Sequence, residues 1–247
     1  MSPARLATID SLRGVAIVWM TVFHFCFDLS YFGWLKQNLY TDPFWTWQRT
    51  AIVSLFLFCA GLGQATAVAR GQDWHRFWKR WRQVAACALL VTAGSYLMFP
   101  RSFIYFGVLH GIALMLIAVR LTAGWRRWLW LAGALAIAMK PLAFFAHLRW
   151  PELDFLNHAA WNWLGLIERK PVTEDYVPLF PWLGAMWWGM AAGQWLLARR
   201  PQWLQARWPA GAAPLAWLGR WSLTWYMLHQ PVMIGILGAI HWLTTRP

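Results

Sequence analysis

Asp10–Trp34 reads DSLRGVAIVWMTVFHFCFDLSYFGW. The run is apolar and long enough for a bilayer, whose hydrocarbon core takes about 20 residues of helix. It nevertheless carries Arg13, His24 and Asp28. Ionisable groups at that depth are costly, and they mark functional sites. A helix turns about 100° and rises about 1.5 Å per residue, so Arg13 and His24 share one face, with His24 about 16 Å further along. If Arg13 sits at the interface, His24 falls near mid-membrane. Asp28, one turn past His24, is expected within reach of the imidazole. A carboxylate there would fix the ring's tautomer and raise its basicity.

Working outward, the composition agrees. Hydrophobic residues make up 60% of the 247 and charged residues 13%, against roughly 45–50% and 25% in soluble domains. The 23 tryptophans suit aromatic belts at two membrane interfaces. The net charge of +13 does not signal nucleic acid, because the bases fall between long apolar spans and not on one soluble face. Cys26, Cys59 and Cys87 are odd in number and lie inside apolar runs, so no disulfide framework is expected. The apolar start is too long for a signal peptide and is read as a retained first span.

Seven spans are expected, at about 11–33, 45–69, 82–99, 103–120, 127–146, 178–198 and 218–243. The expected fold is an all-α polytopic membrane bundle, a single domain over 1–247. With the N-terminus cytoplasmic, fourteen of the 22 Lys and Arg residues face the cytoplasm, from Arg5 through the Arg70–Arg82 stretch to Arg207 and Arg220. Only Asp10 and Asp73 accompany them there, which is the positive-inside signature.

The remaining polar residues are candidates of graded strength. Arg49 is either a snorkelling interfacial cation or a site cation, for a substrate or for Asp28. Gly61 and Gly63 suit close helix packing. The basic loop RGQDWHRFWKRWRQ fits anionic lipid contact, or the phosphates of a cytosolic coenzyme. Arg101 is a surface charge or lines an outer cavity mouth. His110 and His229 are expected near mid-depth on the fourth and seventh spans, level with His24, and three such histidines imply a shared polar cavity. Tyr226 and Gln230 flank His229 in WYMLHQP, where Pro231 leaves a helix carbonyl without its donor. Pro141 predicts a kink and Lys140 beside it a snorkelling cation. The long aromatic loop 147–177 could cover or select a substrate. Asp175 at its end is a site candidate or a first-turn helix acid. Pro178 and Pro181 predict a broken helix start.

The ordered blocks IDSLRG, HFCFDL, FGVLHGIALMLIA, DYVPLFPWLG and LGRWSLTWYMLHQPV resemble bacterial members of the heparan-alpha-glucosaminide N-acetyltransferase catalytic-domain family. LRGVAIVWMTVFHF also resembles the first helix of the wider membrane acyltransferases. The luminal His-containing segment of the lysosomal members has no counterpart here. The resemblance implies an O- or N-acyltransferase in a bacterial inner membrane. It would move an acyl group, acetyl by the family's name, from cytosolic acyl-CoA to a sugar or amino sugar on the outer side. Acetyl-CoA is then a co-substrate, with no bound cofactor and no metal, and lipids and oligomeric partners are compatible. His24 is expected as the base and Asp28 as its orienting group, with Arg13 holding phosphate or pantetheine or shaping the tunnel mouth. Arg49, Arg101, His110, Asp175, Tyr226, His229 and Gln230 are candidates for substrate contact. A histidine could instead carry the acyl group transiently. Two other classes suit the same residues: a transporter or lipid flippase with the polar stripe as its path, and a haem-b electron carrier with histidines as axial ligands.

Overall fold

The computed structural model describes residues 6–205 and 213–245; Arg5 and Arg207 of the expected cytoplasmic set lie outside them. The described chain is helical: α1 Ala7–Tyr31, α2 Pro43–Ala69, α3 Trp74–Met98, α4 Val108–Leu121, α5 Trp128–Arg149, α6 Leu179–Arg199, α7 Pro201–Gln205, α8 Ala213–Arg220 and α9 Ser222–Thr245. A helix forms at each of the seven expected places, though α4, with 14 residues, is shorter than a span. Of these, α1, α2, α5 and α9 are long and apolar enough to cross a membrane. On α9, Leu228, Val232, Ile236 and Ile240 form an i, i+4 stripe, each 44% exposed or more. Such a stripe would be a liability in water and is ordinary against lipid.

Several boundaries differ from expectation for local reasons. Asp73 caps α3, its Oδ1 accepting from Arg76 N at 2.7 Å, so the basic stretch from Trp74 onward is helix and not loop. α4 starts at Val108, because residues 102–106 pair with the chain around 173–177. α8 and α9 divide the expected last span at Trp221. Pro141 and Pro231 stand inside α5 and α9 without ending them. The expected break near Pro178 is present, with Phe180 non-helical at φ −98°, ψ 136°. Cys26, Cys59 and Cys87 form no disulfide.

The chain divides into two compact units, residues 1–56 with 202–247 and residues 57–201. In the first, Ile17, Met20, Phe23 and Ile52 form a core flanked by Trp19, Trp45, Leu218 and Tyr226. α1 and α8 touch backbone to backbone: a Cβ on Gly14 would strike the Leu215 carbonyl, and one on Gly219 the Asp10 carbonyl. Small residues allow this approach, and dispersion rewards it where lipid removes the usual hydrophobic drive. Two tryptophans tie the first unit further. Trp19 Nε1 donates to Gln48 Oε1 at 2.6 Å, and Trp225 Nε1 to Thr21 Oγ1 at 2.9 Å. In the second unit, Gly61 serves the close packing expected of it, lying on the Met186 carbonyl of α6.

Candidate active site

α1 and α9 bring His24, Asp28, Tyr226, His229 and Gln230 together in the first unit. Asp28 is 2% exposed and His229 8%. The His24 and His229 rings meet edge to face, centroids 5.1 Å apart. The Tyr226 ring lies 5.8 Å from that of His229.

The acceptors at Nδ1 decide the tautomer of His229. Its Nδ1 lies 2.8 Å from the Tyr226 carbonyl and 3.1 Å from that of Trp225. A carbonyl only accepts, so Nδ1 carries the proton and Nε2 the lone pair. That Nε2 is buried without a partner. The ring is thus held at one nitrogen and open at the other, the condition a general base requires.

Asp28 departs from expectation. Its Oδ1 accepts from Gln230 Nε2 at 2.7 Å, and not from the His24 ring four residues earlier. Asp28 Oδ2 and His24 Nδ1 are each buried without a hydrogen bond. The i+4 spacing allowed a carboxylate–imidazole bond, but the amide on α9 takes the carboxylate. Arg49 forms no ion pair with Asp28 either and stays half-buried on α2. Arg13 turns to Asp10 at 3.5 Å. The cluster therefore holds four buried polar atoms without partners: His24 Nδ1, Asp28 Oδ2, His229 Nε2 and Gln230 Oε1. Native proteins satisfy nearly all such atoms, so this concentration calls for a ligand or water.

The second unit contains His110, Asp175 and Arg101. His110 lies in the first turn of α4 and not halfway along a span. Its Nδ1 accepts from Gly107 N at 3.3 Å, and its Nε2 lies 3.0 Å from Thr92 Oγ1. Thr92 spends its own proton on the Ile104 carbonyl at 2.8 Å, so His110 Nε2 is the donor to it. Both ring nitrogens are thereby used. Asp175 Oδ2 accepts from Val108 N at 2.7 Å and caps α4 from 67 residues away, not the first turn of α6 that follows it. Gly107 leaves room for this, since a Cβ there would strike that carboxylate. Arg101 is exposed at the turn after α3.

The loop after α5 is pinned to the same region. Asn162, 2% exposed, donates to Tyr105 Oη at 2.9 Å and accepts from Tyr176 Oη at 2.5 Å. Burial raises both phenols above their ordinary value. Sequence reasoning named Asp175 and His110 but missed their partners Thr92, Gly107 and Val108. It also missed Asn162, whose loop position gave no signal of burial. Among the described residues no group of three His, Cys, Asp or Glu side chains could hold a metal ion.

Fold and cluster together define an all-helical membrane protein with a buried imidazole–carboxylate–amide centre. The chain belongs to the heparan-alpha-glucosaminide N-acetyltransferase catalytic family, whose sequence model matches residues 5–231. This is a family of membrane acetyltransferases, and His24, Asp28, His229 and Gln230 all lie inside the matched stretch. No curated protein and no solved structure matches the chain.

Proposed function

We propose that the α1/α9 cluster is the acid–base centre of an acetyltransferase. Acetyl-CoA donates from the cytosol, and a sugar or amino sugar accepts on the outer side of a bacterial inner membrane. The observation that carries the reading is His229, tied at Nδ1–H and open at Nε2.

In the step this supports, the amine or hydroxyl of the acceptor sugar attacks the thioester carbonyl. Its proton passes to His229 Nε2 as the new C–N or C–O bond forms. The C–S bond breaks, and the coenzyme leaves as a thiolate that takes up the same proton, released by His229 and passed on through His24. Positioned proton transfer of this kind contributes roughly 10²–10⁴-fold. Asp28 fixes Gln230 through Oδ1, and its free Oδ2 offsets positive charge that arises on the imidazoles. In this scheme His24 keeps the acid–base role its spacing suggested, shared with His229, and Asp28 supports the site through Gln230. Arg13 meets the coenzyme phosphates, consistent with cationic residues gathering on the cytosolic side. The fourteen-to-two split of bases over acids supports that orientation.

The test is turnover of radiolabelled acetyl-CoA by detergent-purified protein with glucosamine as acceptor. The expected result is labelled N-acetylglucosamine with wild type and its loss in His229→Ala and His24→Ala. Donor binding without transfer to any amine or hydroxyl, unchanged in both variants, would refute the assignment.

A further inference from the structure

α3, in the second unit, changes character along its length. Its first turns carry Arg76, Lys79, Arg80 and Arg82, and no acid occurs anywhere in the helix. Beyond Gln83 its exposed positions include Ala86, Leu89 and Ala93, with Leu89 68% exposed. Residues three and four apart share a helix face. Lys79, Arg82, Ala86, Leu89 and Ala93 are therefore one stripe, exposed at every position. The stripe opens with two cations and continues apolar.

The partners of the four cations separate them. Arg76 Nε lies 3.6 Å from Asp73 Oδ2, and Arg80 donates to Gln83 Oε1 at 2.8 Å. Lys79 and Arg82 form no ion pair with the described residues. The tryptophans beside them mark their depth. Trp74 and Trp78, both exposed, stack with centroids 6.2 Å apart. Trp78 meets Trp81 edge to face at 5.3 Å, and Trp81 Nε1 donates to the Ala113 carbonyl of α4 at 2.8 Å. The Arg120 guanidinium lies over the Trp74 ring at 5.2 Å. Tryptophans gather at the headgroup level of a bilayer, and Lys79 and Arg82 stand within about one turn of Trp78. Ala93 follows Arg82 by eleven residues, about 16 Å of helix. That is about the hydrocarbon depth of one leaflet, half of roughly 30 Å. A free phosphate would use the cations and leave the apolar part of the stripe bare. An amphiphile with an anionic head and apolar tails matches both parts at their spacing.

We propose that this stripe binds an anionic phospholipid, its phosphodiester at Lys79 and Arg82 and an acyl chain along Ala86, Leu89 and Ala93. The site does not depend on acetyl transfer by the α1/α9 cluster. The probes are a phosphatidylglycerol and a phosphatidylcholine with the same acyl chains, added together to the detergent-purified full chain and counted by native mass spectrometry. Phosphatidylglycerol is expected to be retained about tenfold more strongly, because each cation near an anionic lipid adds attraction and the two act together. Lys79→Gln with Arg82→Gln removes that preference at an unchanged unfolding midpoint in neutral detergent. Arg199→Gln with Arg200→Gln removes the same charge at two exposed positions on another helix and leaves the preference intact. Ala86→Glu, a single change at an exposed position, sets an acid one turn from Arg82 and also removes the preference, so a double variant that fails to fold does not end the test. sn-Glycerol 3-phosphate, which has the charge without the tails, does not displace the lipid. Equal retention of the two lipids overturns the proposal, as does a preference that survives Ala86→Glu or the Lys79/Arg82 pair. An equal loss in the Arg199/Arg200 pair would show net charge alone, and displacement by glycerol phosphate a free-phosphate site; either overturns it too.

Discussion

Each unit sets a helix-borne histidine one or two residues from the group that a sequence-distant aspartate bonds, Gln230 for Asp28 and Val108 for Asp175, and the two clusters end differently. Around His110, Thr92, Gly107 and Val108 occupy both imidazole nitrogens and one oxygen of Asp175. Around His229, one imidazole nitrogen is bonded and the other is buried without a partner. Asp28, His24 and Gln230 each leave a further polar atom in the same condition. Residue types and helix placement do not separate these clusters. Hydrogen-bond satisfaction does, because an unmet buried polar atom costs free energy and persists where something else can meet it. On the proposed reading, the first cluster serves stability and the second chemistry.

The largest expected effect sharpens that division. His229→Ala removes the open nitrogen and should lower acetyl transfer by about 10²–10⁴-fold, read as single-turnover rate, with the helical circular-dichroism signal retained. Gln230→Leu strips the partner from Asp28 Oδ1 and leaves that carboxylate bare. A stability loss of about 1–3 kcal/mol is expected in detergent unfolding, with slowed transfer. Asp175→Ala uncaps α4 and should cost about 0.5–2 kcal/mol in the same assay, with turnover per folded molecule unchanged. If it removed turnover from folded protein, the two clusters would not differ as argued.

The smallest effect is alkaline. Tyr105 and Tyr176 are raised by burial above the ordinary phenol value near 10. Their contribution to stability is complete below that value and is lost as pH rises through the folded-state values. Unfolding midpoints should therefore show no phenol-dependent change up to about pH 9 and should decline above about pH 10. Tyr176→Phe should flatten the decline, followed by thermal unfolding across pH 8–11.

How much of this was legible in the sequence varies by residue. The first span, the long helices and the family could be read from apolar run lengths and ordered blocks, because those signals are local. The candidate list already held His24, Asp28, His229 and Gln230. Their partnerships did not follow from it. Spacing on α1 offered Asp28 only His24, whereas its bond goes to Gln230, 202 residues away. His110 looked like a mid-span histidine because nothing local shows that residues 102–106 pair with 173–177 and delay α4 to Val108. In each case composition was visible and the choice of long-range partner was not.

The most direct measurement is the single-turnover rate of radiolabelled acetyl-CoA with glucosamine, for His229→Ala beside His110→Ala, each normalised to folded protein. The account predicts loss in the first and a near wild-type rate in the second. A wild-type rate in His229→Ala, or an equal loss in a folded His110→Ala, would contradict it.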